Sequence, residues 1–311
     1  MADVIRLTAS GVTPNAAFTF SRYRAKALPY LYVAPAIALF FLLMLFPMVT
    51  VFRYSLLDRP IMSPHPTFVG LSNFQSLFAD PVFWQSIGNT LYFTIVSVVF
   101  HLIVGLSFAL MLNSKTVNPT VMSVLRVLYI LPWLFTAVII AIIWRLILDP
   151  SGIVNSILIY LRIVGFRVEW FSSSATAIHA LTFVNIWAGY PLYMVTLLAG
   201  LQGIPDELYE AATIDGASAP QQLWNVTLPQ LKPIIISIAL LDFIWTMQVF
   251  PLVWMTTGGG PIHATEMMSI YTYKLAFSRF QFSLASASAV VLFAISMSMT
   301  YFYIKHQKAT G

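Results

Sequence analysis

The chain has 311 residues, of which 59% are hydrophobic and only 9% charged, against roughly 25% charged in an ordinary soluble domain. Such a sequence cannot cover itself with a polar surface, and several apolar stretches reach the about 20 residues that a helix needs to cross roughly 30 Å of hydrocarbon. The net charge of +5 does not point to nucleic acid, because the basic residues sit beside apolar runs and form no polar helix face; the absence of cysteine excludes a disulfide framework and a Cys-based metal site.

Residues 1–28 are polar, contain Arg6, Arg22, Arg24 and Lys26, and lack a small-residue cleavage site after a short apolar core. They are expected to form a cytoplasmic tail ahead of an uncleaved first span at about 29–52. The next segment, with Pro60, Pro64, Pro66, Asp80 and Pro81, is too polar and too broken by proline to span, and reads as an external loop with short amphipathic pieces. Further spans are expected near 88–112, 125–148, 176–200, 234–256 and 283–304, then a cytoplasmic tail at 305–311. The fold class is therefore all-α integral membrane with six transmembrane helices, and both termini lie on one side. Nine of the 16 Lys and Arg fall on that side (Arg6, Arg22, Arg24, Lys26, Lys115, Arg126, Lys232, Lys305 and Lys308), four of them just before the first span. That bias makes it the cytoplasmic side. Trp84, Trp133, Trp144, Trp170 and Trp254 fall near span ends, where an indole sets an apolar body in lipid and its N–H at the headgroups. No repeat of 20–50 residues and no inverted repeat is visible.

In the second span, His101 has no His or carboxylate at i±3 or i±4 and reads as a hydrogen-bonded packing residue rather than a metal ligand. In the fourth, Asn185, Ala188, Gly189 and Leu192 share one face at i, i+3, i+4 and i+7. Its small residues leave room for a ligand, or form a helix-packing surface across which Asn185 hydrogen-bonds. In the fifth, Asp242 is the one carboxylate well within a span. An ionised group at the bilayer centre costs roughly 2.5–3.5 kcal/mol, so it faces the bundle interior or a water-filled cavity. Trp245, Thr246 and Val249 follow it on the same face. A carboxylate, an indole and a hydroxyl suit a sugar, whose hydroxyls hydrogen-bond and whose C–H faces stack on rings. Alternatively, Asp242 pairs with a basic or hydroxyl group on a neighbouring helix and fixes packing.

Between the fourth and fifth spans, Ile204 to Pro229 reads as two short helices joined by a turn. Pro205 suits a first helical turn, and Asp206 and Glu207 suit the positive end of the helix dipole. Gly216 can take the left-handed conformation that stops this helix. Ser218 and Gln221 form a capping box for the next, with Pro220 in its first turn, and Leu228-Pro229 ends it. Ala211, Ala212, Gly216, Ala217 and Ala219 let another backbone approach closely, while Leu208, Tyr209, Leu223 and Trp224 offer apolar anchors. A docking element and an amphipathic hairpin on the membrane surface both fit.

Glu210-Ala211-Ala212, three residues, Gly216, nine residues, then Val226-Thr227-Leu228-Pro229 resembles the EAA loop of permease subunits in binding-protein-dependent ABC importers. Phe68-Val-Gly-Leu-Ser-Asn-Phe74, Asn89-Thr90, Asn185-Ile-Trp-Ala-Gly-Tyr-Pro191 and Thr257-Gly-Gly-Gly-Pro261 are similar to the sugar-importer branch, especially its larger maltose-permease type. Val226 stands where isoleucine is commoner, and Pro251 where that branch often has a polar residue. The resemblance implies the type I ABC importer permease fold. It also implies that Glu210, Ala211, Ala212, Asp215, Gly216 and Ala217 dock on an ATPase subunit. Solute would be lined by Asn185, Ala188, Gly189, Leu192, Asp242, Trp245, Thr246 and Val249, with Gln248 as a neighbour. The segment with Tyr271, Tyr273, Lys274 and Phe277 would meet an external solute-binding protein. The implied partners are a second homologous permease, an ATPase dimer, that binding protein and membrane lipid, in a bacterial cytoplasmic membrane. The chain carries no G-x-x-x-x-G-K-[ST] loop, so ATP and Mg belong on the ATPase and no cofactor is expected here. The implied cargo is a sugar, oligosaccharide or polyol; a glycerol-phosphate or other charged sugar derivative, and an ion-coupled transporter using Asp242, are the alternatives.

Overall fold

The computed structural model describes residues 30–59, 61–114 and 118–310. The expected tail at 1–28 with its four basic residues, Pro29, Lys115 and Gly311 lie outside the described residues. Residues up to Arg53 and those from Tyr54 onward form two units. The first holds most of helix α1 (Tyr30–Ser55), and everything below concerns the second.

Among the described residues the regular structure is helical, apart from one isolated bridge pairing Leu57 with Phe68. That bridge and α2 (Ser72–Phe78) fold the proline-rich segment, and the Asn73 amide fastens it by donating to the carbonyls of Ser55 and Leu57 at 2.9 and 3.0 Å. Helix α3 (Pro81–Leu112) starts where Asp80 accepts the Val82 N–H at 2.9 Å, with Pro81 at the first helical position where no N–H is needed. Asn118 and Pro119 open α4 (Pro119–Leu134) in the same way.

The apolar run expected as one span at 125–148 is two helices, α4 and α5 (Ala137–Ile147), bent by 100°. Pro132 removes a hydrogen bond to the Leu128 carbonyl and crowds it, Phe135 is extended, and Thr136 caps α5 through its hydroxyl. Hydropathy is blind to this break because both sides of it are apolar. After α6 (Ile153–Tyr160) comes α7 (Ala177–Gln202), then α8 (Asp206–Ile214).

The fifth apolar helix differs from expectation at both ends. Helix α9 runs from Ala219 to Met247, whereas a span at 234–256 was expected. Leu228-Pro229 does not end the preceding helix. A π turn at Leu223–Thr227 includes Asn225, four residues before Pro229, and its wider winding takes the ring that would strike that carbonyl in a regular helix. At the other end α9 stops at Met247, whose carbonyl could neither accept from Pro251 nor clear its ring in a continuing helix, and Pro251 begins α10 (Pro251–Thr256). Helix α11 (Met268–Tyr273) continues as a π turn to Ser278, and α12 spans Phe282–Thr310, so the expected tail at 305–311 is helical through Thr310. Among the described residues five helices are long and apolar enough to cross a bilayer, and the bent α4–α5 pair makes a sixth crossing if it counts as one.

Helices α3 and α7 form the central pair. A Cβ on Gly105 would overlap that of Tyr193, so this glycine sets how closely the two backbones approach. Ala109, Tyr193, Leu197, Leu201 and Leu231 fill the core where α9 joins them.

Candidate functional site

The 204–229 hairpin is built by local chemistry. Helix α8 ends with the Ala217 N–H donating to Ala212 O at 2.9 Å and the Gly216 N–H to Thr213 O at 3.0 Å, a Schellman closure that needs φ of +79° at Gly216. The Gln221 side chain then accepts the Ser218 N–H at 2.7 Å and starts α9. Tyr209 is not an outward anchor: its hydroxyl lies 3.0 Å from that of Thr227 and fastens α8 to the base of α9. The Gln222 amide adds a second fastening by donating to Thr213 Oγ1 at 3.0 Å. Glu210, Ala211, Asp215 and Gly216 are exposed, with Ala212 and Ala217 half-buried beside them. Among the apolar residues Leu208 and Trp224 are exposed as expected, and Ile214, 87% exposed, joins them. The sequence reading passed over Ile214, although its place one residue before the helix cap is a local signal. Because α9 runs unbroken from this hairpin to Met247, a force on the hairpin acts along a 29-residue rod.

Asp242 sits near the far end of that rod, buried, with both oxygens engaged. Oδ2 accepts from Tyr193 Oη at 3.0 Å and lies 2.8 Å from His101 Nδ1; Oδ1 accepts from Thr246 Oγ1 at 2.9 Å. His101 Nε2 is 3.0 Å from the Asn185 carbonyl, while the Asn185 amide donates to Ser97 Oγ at 2.9 Å. The expected lining residues therefore divide. Asp242, Thr246, Asn185 and Gly189 belong to this interhelical cluster, and a Cβ on Gly189 would overlap the His101 imidazole, so its missing side chain makes room for histidine. Leu192 instead lines an apolar groove of about 380 Å³ with Ile234, Ile238, Leu241 and Tyr303. Ala188 and Val249 pack against the core around Val184 and Val253. Val249 leaves the expected face because α9 ends at Met247. Trp245, 59% exposed, and Gln248 remain open. Among the described residues no group of three His, Asp or Glu gathers that could hold a metal ion.

Residues 101–307, more than half of the chain, match the family of the binding-protein-dependent transport system inner membrane component. The chain belongs to this family. It is 34% identical over 285 residues to the trehalose/maltose transport system permease MalF of Thermococcus litoralis, covering 91% of this chain and 95% of that one. It is 32% identical over 282 residues to the sulfoquinovosyl glycerol permease SmoG of Agrobacterium fabrum, covering 90% of each. Among solved structures it shares the fold of a bacterial alginate ABC transporter captured with a pentasaccharide-bound periplasmic protein, at a TM-score of 0.78 and 23% identity, covering 91% of this chain and 94% of that one.

In this permease the remaining sequence motifs meet at one place. The Asn89 amide donates to the carbonyls of His263 and Glu266 at 3.0 and 3.2 Å, and Thr90 Oγ1 accepts the Met268 N–H at 2.9 Å. Asn89-Thr90 is thus the clasp for the segment that follows Thr257–Pro261. That segment is less open than expected. Tyr271 is buried and donates to Asp80 at 2.7 Å, and Lys274 is paired with Glu266 at 2.9 Å, which leaves Phe277 as the plainly exposed member of the expected set. Burial, then the bond to Asp80, push the Tyr271 hydroxyl above its ordinary range, so it remains a donor at neutral pH. Glu266 itself is 1% exposed and also contacts His263 Nδ1. Its burial escaped the sequence reading because no apolar run surrounds it. A pocket of about 410 Å³ lies beside this segment, lined by Arg145, Asp149, Trp170, Phe171, Thr257 and Gly260. Trp170, like Trp144 and Trp254, packs partly buried against the core, whereas Trp84 and Trp133 are more than half exposed.

Proposed function

We propose that this permease subunit carries a sugar, oligosaccharide or polyol inward through a bacterial cytoplasmic membrane, driven by a separate ATPase dimer that grips the exposed hairpin around Gly216. The observation that carries this reading is the unbroken helix from that hairpin to the polar cluster at Asp242, in a chain related along nine-tenths of its length to a trehalose/maltose permease. The nucleotide and its Mg are held by the ATPase, both termini of this chain lie in the cytoplasm, and a second, homologous permease completes the pathway. A binding protein delivers solute on the opposite side, where the 257–281 segment and the Arg145–Trp170 pocket stand. Trp245 and Gln248, at the open end of α9, offer the solute a ring and an amide; Asn185, Ala188, Gly189, Leu192, Asp242, Thr246 and Val249 shape and support that wall. ATP-driven closure of the ATPase pulls on the hairpin and α9 and turns the pathway outward, and hydrolysis returns it inward. An ion-coupled reading centred on Asp242 has less room, since both carboxylate oxygens are committed.

Reconstitution in proteoliposomes loaded with ATP tests this. Binding-protein-dependent uptake of labelled sugars is expected to require internal ATP and to survive ionophores that collapse proton and sodium gradients. Uptake that follows the ion gradient and ignores ATP contradicts it.

A further inference from the structure

We propose that His101 is a positioning residue, held as an imidazolium in an ion pair with Asp242 inside the membrane, and that this pair joins α3, α7 and α9 into one body that moves with the hairpin. The mechanical half rests on the importer reading above; the ion pair does not.

The protonation state follows from a donor and acceptor count. His101 is 2% exposed, so its ring has no recourse to water. Its Nε2 faces the Asn185 carbonyl at 3.0 Å, and a carbonyl only accepts, so Nε2 carries a proton. Its Nδ1 faces Asp242 Oδ2 at 2.8 Å. Asp242 accepts from the Tyr193 hydroxyl on Oδ2 and from the Thr246 hydroxyl on Oδ1, so both of its oxygens act as acceptors, the arrangement of an ionised carboxylate. An ionised carboxylate has no proton to give, so Nδ1 is a donor as well. A ring with two N–H groups is an imidazolium. The other groups facing the pair are Ser97 on α3, Asn185 and Tyr193 on α7, and Thr246 on α9; none brings a charge, so the cluster is neutral as a whole.

The placement explains two residues that a solute-lining role does not. Gly189 leaves on α7 the space that the imidazole fills, and Tyr193 brings a hydroxyl from α7 to the same carboxylate oxygen that His101 reaches from α3. One ring therefore touches all three helices, and α9 is the one that leads to the hairpin turn at Gly216. Breaking a buried pair by removing one partner strands the other charge, whereas removing both charges leaves a neutral site.

The test uses His101→Asn, Asp242→Asn and the double variant in the assembled transporter. In His101→Asn the carboxylate loses its counter-charge, and the yield of assembled complex is expected to fall at least tenfold. In Asp242→Asn the imidazole can shed its proton near neutral pH and accept from the new amide at Nδ1, so this variant and the double variant are expected within threefold of the original. A double variant no better than His101→Asn overturns the ion pair. ¹⁵N-histidine NMR of the unaltered complex, with His101 assigned by the signal lost in its variant, is expected to show both ring nitrogens protonated; one unprotonated nitrogen also overturns it. For the mechanical half, solute imported per ATP hydrolysed is expected to drop at least threefold in Asp242→Asn, and an unchanged ratio overturns that role. If the unaltered complex shows no binding-protein-dependent uptake, the importer reading fails while the NMR and yield results still decide the ion pair.

Discussion

Gly216→Val is expected to reduce solute uptake by the reconstituted transporter at least tenfold while leaving the chain inserted and folded. Gly216 has φ of +79°, and forcing a residue with a Cβ into the left-handed region costs roughly 1–2 kcal/mol, more when it is β-branched. That strain is local, because among the described residues, its two chain neighbours aside, nothing lies within 4 Å of where the Cβ would stand. On the proposed reading the ATPase approaches through that open space. Gly216→Asn separates backbone from bulk, since asparagine tolerates positive φ yet still fills the space. Both variants are expected to lose co-purification with the ATPase. Retention by Asn alone reassigns the effect to hairpin geometry, and normal uptake by Val removes the docking role.

Glu266→Ala is expected to destabilise the chain by about 3 kcal/mol, the lower end of the roughly 3–5 kcal/mol for removing one partner of a buried pair. The side chain of Lys274 keeps 26% exposure, so its stranded ammonium recovers some hydration, while Glu266 has only 1%. In detergent this corresponds to a fall in Tm of about 6 °C, the lower end of roughly 2–4 °C per kcal/mol for a chain of this length. Glu266→Leu with Lys274→Met removes both charges and is expected to restore most of that loss. A Tm unchanged by Glu266→Ala means that the pair does not hold the 257–281 segment together.

What the sequence disclosed was whatever short-range chemistry governs. The capping box at Ser218 and Gln221 and the left-handed Gly216 involve residues a few positions apart, and both are present as read. Breaks inside apolar runs were hidden. Pro132 and Thr136 act on backbone hydrogen bonds that hydropathy does not register, and Pro251 likewise cut short a face drawn on the assumption that the helix continued. That Asp242 pairs with a basic or hydroxyl group on a neighbouring helix was one of the two readings offered, but its partners were out of reach for another reason. His101 was read as a hydrogen-bonded packing residue by searching its own helix, but Asp242 lies 141 positions away, and only the α3–α7–α9 packing brings them together. Gly189 was read either as room for a ligand or as part of a helix-packing surface, and the room is taken by that imidazole.

The central claim is that the exposed face of the 204–229 hairpin receives the ATPase on the cytoplasmic side. The chain has no cysteine, so Ile214→Cys places a single thiol on that face, and Ile262→Cys, 86% exposed in the segment clasped by Asn89, serves as the opposite-side control. With a thiol-to-amine cross-linker in membranes containing the whole transporter, Ile214→Cys is expected to join the ATPase subunit, with a yield that changes on adding ATP, and Ile262→Cys is not. A cross-link from Ile262→Cys instead, or labelling of Ile214→Cys by an impermeant thiol reagent outside intact cells, contradicts the account.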